Sequence, residues 1–220
     1  MAARAMAARA MAARAMAARD STREIALRAG GHVACAARRW EVCRAGRYSC
    51  DGSSVISSGA QVSAAEFRHA MGHFATGVTI VTSLGADGSP VGTTASAVTS
   101  LSLDPPLVLV CFDLGSLTLR AIRGHGSFAV NVLGAAQRQL SANFARRGLA
   151  AAWDGVRHRH GPTGSPRLED VLAVMECTVE RFLPGGDHEI VVGRVRHAET
   201  GANPAVPLVY FRGGYTSLAS

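Results

Sequence analysis

From residue 76 onward the chain runs in short apolar stretches, rich in Val, Ile, Thr and Phe and broken by Gly, Pro, Asp and Ser, which is the pattern of strands separated by turns. Residues 76–84 and 91–98 flank Ala86-Asp87-Gly88-Ser89, whose Asp-Gly pair predicts a hairpin. Residues 107–112 and 128–133 read as further strands, with a short helix at about 116–123 between them. A second helix is expected over about 135–145, followed by a polar loop rich in Gly, Pro and His over 148–166. Three long strands then cover 173–182, 188–197 and 207–212. One helix precedes them all: Ser63-Ala64-Ala65-Glu66 spells a capping box that starts a helix running to about residue 74. Many strands, few helices and repeated hairpin signals predict a mainly β fold, a closed or partly closed barrel in preference to a parallel α/β sheet. No G-x-G-x-x-G lies between a strand and a helix, so a Rossmann dinucleotide site is not supported.

Residues 1–60 follow a different rule. The first twenty are four copies of Met-Ala-Ala-Arg-Ala, the last ending in Asp20. Alanine and arginine favour helix, but a five-residue step turns a helix by about 140°, so Arg4, Arg9, Arg14 and Arg19 spiral round the axis and leave no apolar face. The segment reads as a disordered or frayed low-complexity leader that continues irregularly to a Gly/Ser-rich linker at 51–60. An Arg-rich, acid-poor transit peptide is the alternative reading; a secretory apolar core and a transmembrane span are both absent from the sequence. The folded domain is expected over 61–220, with no regulatory extension beyond Tyr215.

Composition changes the picture in three ways. The 48% hydrophobic content of the 220 residues suits one domain with a tail. The net charge of +7 lies almost wholly in the leader, since residues 1–60 carry ten Arg against four acids and residues 61–220 thirteen Arg against twelve. A nucleic-acid partner for the main domain therefore loses its support. Lysine is absent, which excludes Schiff-base chemistry and leaves guanidinium as the only fixed positive charge. Of the five cysteines, Cys35, Cys43 and Cys50 lie in the leader, while Cys111 and Cys177 fall in apolar runs. An odd count without C-x-x-C fits reduced thiols in a cytoplasmic protein better than a disulfide framework or a zinc site.

Five segments carry candidate chemistry. Residues 90–106, P-V-G-T-T-A-S-A-V-T-S-L-S-L-D-P-P, gather Thr93, Thr94, Ser96, Thr99, Ser100 and Ser102 inside an otherwise apolar domain, a supply of short uncharged donors and acceptors suited to a flat polar ligand. Gly115-Ser116-Leu117-Thr118 is either an ordinary capped helix start or a phosphate seat with Arg120 or Arg123 supplying charge. In Ser141-Ala142-Asn143-Phe144, the Asn offers a hydrogen bond to a ligand edge and the Phe packs either the core or a ring. Gly185-Gly186-Asp187-His188 delivers a His to a strand start, as a strand-edge residue or a functional one. Residues 207–215, P-L-V-Y-F-R-G-G-Y, end a strand in aromatics, one Arg and two close-approach glycines; these suit core packing or a flat anionic cofactor. His158 and His160 lack an acid or Cys at ligand spacing, so no metal site is expected, and no G-x-S-x-G elbow occurs.

Taken in order, the segments F-R-H-A-M-G-H-F-A-T-G-V-T-I-V-T (67–82), P-V-G-T-T-A-S (90–96), S-L-S-L-D-P-P-L-V-L-V-C (100–111), F-A-V-N-V-L (128–133), G-G-D-H-E-I-V-V-G-R-V (185–195) and P-L-V-Y-F-R-G-G-Y (207–215) closely resemble the flavin reductase family. These are the small reductase components of two-component flavin-dependent monooxygenases. The resemblance covers about residues 63–217 and leaves out the first 60.

The resemblance implies a Greek-key split β-barrel of the FMN-binding type with a few short helices, a homodimer, and NADH- or NADPH-dependent reduction of FMN or FAD for a separate monooxygenase. By the family pattern the flavin is held by Pro90, Val91, Gly92, Thr93 and Thr94, by Ser96 and Ala97, by Cys111, Phe112 and Asp113, by Leu117 and Thr118, and by Asn143 and Phe144. His188 and the stretch Tyr210, Phe211, Arg212 and Gly213 contact the nicotinamide nucleotide, with His188 the candidate catalytic residue. Hydride transfer between two stacked rings needs no acid or base from the protein, only orientation. The alternatives are an enzyme that keeps FMN tightly bound and acts on another small molecule, and a non-enzymatic flavin-binding protein.

Overall fold

The computed structural model describes residues 62–146, 150–201 and 206–218; the readings made for the leader lie outside them. The first helix, α1 (Ala64–Met71), is capped as expected: the Ser63 hydroxyl accepts from the Glu66 N–H at 3.2 Å, and the Glu66 carboxylate accepts from the Ser63 N–H at 2.8 Å. It buries none of its residues against the domain.

Strands follow in the order the apolar pattern sets. They are β1 (Thr76–Gly77), β2 (Thr79–Leu84), β3 (Pro90–Ala95), β4 (Val98–Leu103) and β5 (Pro106–Asp113), then α2 (Leu117–His125), then β6 (Ser127–Val132). After a 3-10 turn, Ala135–Gln137, comes α3 (Arg138–Phe144). A second 3-10 turn, Ala150–Trp153, leads to β7 (His158–His160) and β8 (Pro166–Leu168). The long strands β9 (Ala173–Gly185) and β10 (His188–Thr200) come next, and the hairpin β11 (Leu208–Phe211) and β12 (Gly214–Ser217) ends the fold.

Seven strands form one antiparallel sheet in the order β3-β2-β6-β9-β10-β5-β4. Its two edge strands, β3 and β4, are consecutive in sequence and joined only by Ser96-Ala97. The sheet therefore curls until its edges approach, and the Cys111 N–H donates to the Ala97 carbonyl at 3.1 Å, extending the β4–β5 ladder up to the join. This is a barrel with a seam, the split barrel that the sequence predicts. β2 is buried on both faces, and its hydroxyl residues Thr79, Thr82 and Ser83 are accommodated because each donates to a backbone carbonyl, of Ala95, Pro166 and Ser127. Inside, α2 plugs the barrel, and Leu119 and Ile122 pack with Val81, Val110, Phe128, Val130 and Val191. Outside, α3, β8 and β11 bring Phe144, Leu168 and Leu208 onto Val78, Ile80 and Leu133. Each such fully buried side chain contributes about 1.5–3 kcal/mol.

Three local differences from the sequence reading have physical causes. The helix expected at 135–145 begins as a 3-10 turn because the Gln137 side chain accepts from the Gly134 N–H at 2.9 Å and tightens the first turn. The polar loop at 148–166 contains β7, which pairs with β8. The terminal strand doubles back at Arg212-Gly213, where both residues hold positive φ, 49° and 77°; that is the twist a two-residue hairpin turn needs. Among the described residues no helix is long and apolar enough to cross a membrane.

Candidate functional site

The seam is where the sequence candidates converge. At the join, β3 and β4 part, and an edge strand leaves one row of backbone donors and acceptors free. A cleft of 670 Å³ opens beside β3 and takes its walls from β3, Ser96-Ala97, the end of β5, the start of α2, the end of α3 and His188 at the start of β10. Pro90, Val91, Gly92, Thr93, Thr94, Ser96, Ala97, Cys111, Phe112, Asp113, Leu117, Thr118, Phe144 and His188 all line it.

Local chemistry fixes each wall. Thr94 Oγ1 donates to the Ser141 carbonyl at 2.6 Å and ties β3 to α3. Gly92 lets the Phe144 ring close against β3: a Cβ on Gly92 would stand 2.9 Å from Phe144 Cε1. At the start of α2, Asp113 Oδ1 accepts from the Gly115 N–H at 2.7 Å and Ser116 Oγ accepts from the Leu119 N–H at 3.3 Å. The first helical turn has further N–H groups without intrahelical acceptors, the usual opening for an anion. Arg123 cannot serve that anion, because it is engaged by Glu189 at 2.6 Å and lies 4.7 Å from the centre of the Phe182 ring. Arg120 does not line the cleft; Arg146 does.

His188 sits opposite Asp113 in the β10–β5 register. Its Nδ1–H donates to Asp187 Oδ1 at 2.7 Å, which fixes the ring and leaves Nε2 for a ligand. That hydrogen bond, with the charge interaction between the two side chains second to it, holds the Asp187 carboxyl below the usual carboxylate range.

The remaining candidates lie elsewhere. Asn143 is on α3 next to Phe144, but its Oδ1 accepts from Gln139 Nε2 at 3.0 Å and it does not line the cleft. Tyr210 and Gly213 line a separate apolar groove of 1060 Å³, which meets the cleft at Ser96, Ala97 and Cys111. Arg212 lines a third hollow, so His188 and Arg212 share no cavity within one chain. Among the described residues no group of three or more His, Cys, Asp and Glu is placed to hold a metal; His158 and His160 continue a row of rings instead. In that row Phe144, Trp153, His158 and His160 stand edge-on at successive centroid distances of 5.0, 5.0 and 6.0 Å.

Sequence reasoning missed Trp153 and Arg146 as lining residues. Trp153 is hidden in a stretch that reads as a polar loop, and only its packing on Phe144 brings it to the cleft. Asp187 was visible beside His188, but nothing in a lone Asp-His pair announces a hydrogen bond. The cleft's volume falls in the range of small-ligand sites, about 300–1,000 Å³. Its hydroxyls, glycine cradle, helix start and aromatic flank fit a flat ring system carrying a phosphate.

Comparison with known proteins gives the chain its family. The flavin reductase like domain model matches residues 71–219. The reductase component of the 4-nitrophenol 4-monooxygenase/4-nitrocatechol 2-monooxygenase of Rhodococcus opacus is 46% identical, over 69% of this chain and 79% of that protein. A Rhizobium meliloti protein named as a flavin reductase is 44% identical over 67% of this chain, which spans only 47% of that longer relative. Among solved structures, the NADH:FAD oxidoreductase SgcE6 of Streptomyces globisporus, in complex with NAD and FAD fragments, superposes with a TM-score of 0.66 at 33% identity, over 70% of this chain and 92% of that one. Barrel, seam cleft and family match agree: the chain belongs to the flavin reductase family of oxidoreductases.

Proposed function

We propose that this protein is an NAD(P)H:flavin oxidoreductase that transfers hydride from NADH or NADPH to FMN or FAD at the seam cleft and releases the reduced flavin to a separate monooxygenase, acting as a cytoplasmic homodimer. The observation that carries the reading is the convergence at one seam of the β3 hydroxyls, the α2 start and His188. A flavin bound there supplies the hydride-accepting ring, and the chemistry is the cofactor's own. The chain's residues do the rest. Gly92 and Phe144 shape the slot, Trp153 flanks it, and the α2 start with Arg146 seats the phosphate. His188, held by Asp187, orients the nicotinamide nucleotide. The exposed Phe67, Met71 and Phe74 beside the apolar groove support a second copy of the chain as its cover.

The test is oxidation of NADH and of NADPH by the purified protein, with and without added FMN or FAD. Turnover should require added flavin and saturate with it; turnover indifferent to added flavin would favour a tightly held prosthetic group and remove the diffusible-flavin reading. His188→Ala should raise the nicotinamide KM more than the flavin Kd, because the side chain orients the donor. The reverse ranking contradicts the role assigned to His188.

A further inference from the structure

Behind the cleft wall, the row of rings has an outer half that no ligand touches. Phe144 and Trp153 line the cleft; His158, on β7, does not. Its half-buried ring stands edge-on to the Trp153 indole instead, with centroids 5.0 Å apart and planes at 67°. Phe144 takes the same posture on the other side of the indole, at 5.0 Å and 81°. Trp153 is therefore held between two rings, one pressed on Gly92 in the cleft and one reaching towards the surface.

Short-range hydrogen bonds tie His158 to the very turn that presents Trp153. The Val156 N–H donates to the Trp153 carbonyl at 3.0 Å, and His158 Nδ1–H donates to the Val156 carbonyl at 3.1 Å. One loop thus sets both rings against each other. β7 is anchored in turn, since His158 lies opposite Leu168 in the β7–β8 register and Leu168 is buried in the cluster that holds Phe144. With Nδ1 committed as a donor, the ring gains or loses its proton at Nε2. The charged neighbours of this loop are Arg157, paired with Glu169 and Asp170, Arg159, paired with Glu199, the exposed Asp154 beside Trp153, and Arg146 on the cleft wall. The outermost ring, His160, lies 6.0 Å beyond His158 and donates its own Nδ1–H to the Gly164 carbonyl at 2.8 Å.

We propose that His158 is a positioning residue for flavin binding: its ring props the Trp153 indole as a wall of the seam cleft, so that a change at His158 reaches the flavin through Trp153. The proposal rests on the flavin reductase reading of that cleft. Aromatic rings favour edge-on contact at centroid separations of roughly 4.5–7 Å, and both contacts of Trp153 fall there. Without the outer ring the indole regains rotamer freedom, and a wall that moves must be ordered again each time a ligand binds.

The test uses the full-length protein carrying Trp40→Phe, which leaves Trp153 as its one tryptophan. Two variants separate the ring from its hydrogen bond. His158→Phe keeps a ring beside the indole, and His158→Asn keeps a side-chain N–H for the Val156 carbonyl but no ring. FMN binding is read from flavin fluorescence, and turnover from nicotinamide oxidation. His158→Asn should weaken FMN binding and raise the FMN KM by about two- to tenfold, the scale of one lost aromatic pair, with the nicotinamide KM unchanged. His158→Phe should stay within about twofold of the parent, because the edge-on ring is restored. The pair itself is read without flavin: a protonated imidazole quenches a neighbouring indole, so Trp153 emission should fall as the pH drops from about 8 to about 5. That step should vanish in both His158 variants and survive in His160→Gln. Melting temperature checks folding, and if His158→Asn does not fold the comparison passes to His158→Gln, which also lacks a ring. A parent protein that binds no FMN removes the flavin reading and the role of His158 together. A parent that binds FMN no more tightly than folded His158→Asn, an equal loss in His158→Asn and His158→Phe, or an emission step that persists in both variants overturns the role of His158 alone.

Discussion

Single glycines and thiols show how tightly the barrel is filled. A Cβ on Gly193 would stand 2.4 Å from Phe128 Cζ and 2.9 Å from Cys177 Cβ, in the part of β10 where the register shifts against β9. Gly193→Ala should therefore destabilise the protein by about 1–3 kcal/mol in denaturant unfolding, the usual cost of overpacking. Beside it, burial pushes the Cys177 thiol up to about 12. At pH 8 such a thiol is ionised in about one molecule in 10,000, so alkylation of the native protein should spare Cys177. The half-buried Cys111 lines the cleft; peptide mapping should find it labelled, and protected when FMN is added. Labelling of Cys111 that flavin leaves unchanged would separate the thiol from the ligand. Much of this scale was legible: the hydroxyl run from Thr93 to Ser96 does face the cleft. The sequence could not say that Thr94 would spend its proton on Ser141, or that Glu189 would claim Arg123, because both partners are remote along the chain.

Elements are held to one another by buried polar pins that no local pattern announces. Asn131 on β6 is fully buried; its Nδ2 donates to the Ile80 carbonyl at 3.0 Å, and its Oδ1 accepts from the Leu168 N–H at 2.9 Å. One side chain thus joins β2, β6 and β8. Asn131→Leu removes both hydrogen bonds and takes from the Leu168 N–H its side-chain acceptor, and should cost about 1–3 kcal/mol in unfolding free energy. A loss below the cost of one such group would mean that the pin is replaced by water. The buried Glu176 carboxylate on β9 accepts from the Thr163 N–H and hydroxyl at 3.2 and 3.0 Å and fastens the β7–β8 connection in the same way. For this reason the hairpins β2–β3 and β9–β10 could be anticipated from apolar runs and turn residues, whereas β4 (Val98–Leu103) lies where the sequence reading ends a strand at residue 98 and expects a loop. The β7–β8 pair could not, since its stability comes from long-range polar contacts rather than from its own apolar pattern.

For the molecule as a whole, the order of apolar stretches predicted a barrel, and the seam gives that barrel a cleft lined by the candidate residues. What lies outside one chain remains written on its surface. Helix α1 buries nothing, and Phe67, Met71 and Phe74 are exposed beside the apolar groove. A second copy covering this face should make the protein sediment as a dimer, and the double substitution Met71→Glu, Phe74→Glu should yield a folded monomer. A parent protein that sediments as a monomer would contradict the homodimer.

The seam cleft as the flavin seat is tested most directly by a flavin fluorescence titration of Gly92→Val against the parent, with melting temperature as the control for folding. The parent should quench FMN or FAD saturably. The valine fills the cradle in which Phe144 now packs, so binding should weaken by about tenfold or more, equivalent to the 1–3 kcal/mol of an overpacked site. Arg212→Gly, remote from the seam, should bind flavin like the parent. A folded Gly92→Val protein that takes up flavin as tightly as the parent would place the flavin elsewhere.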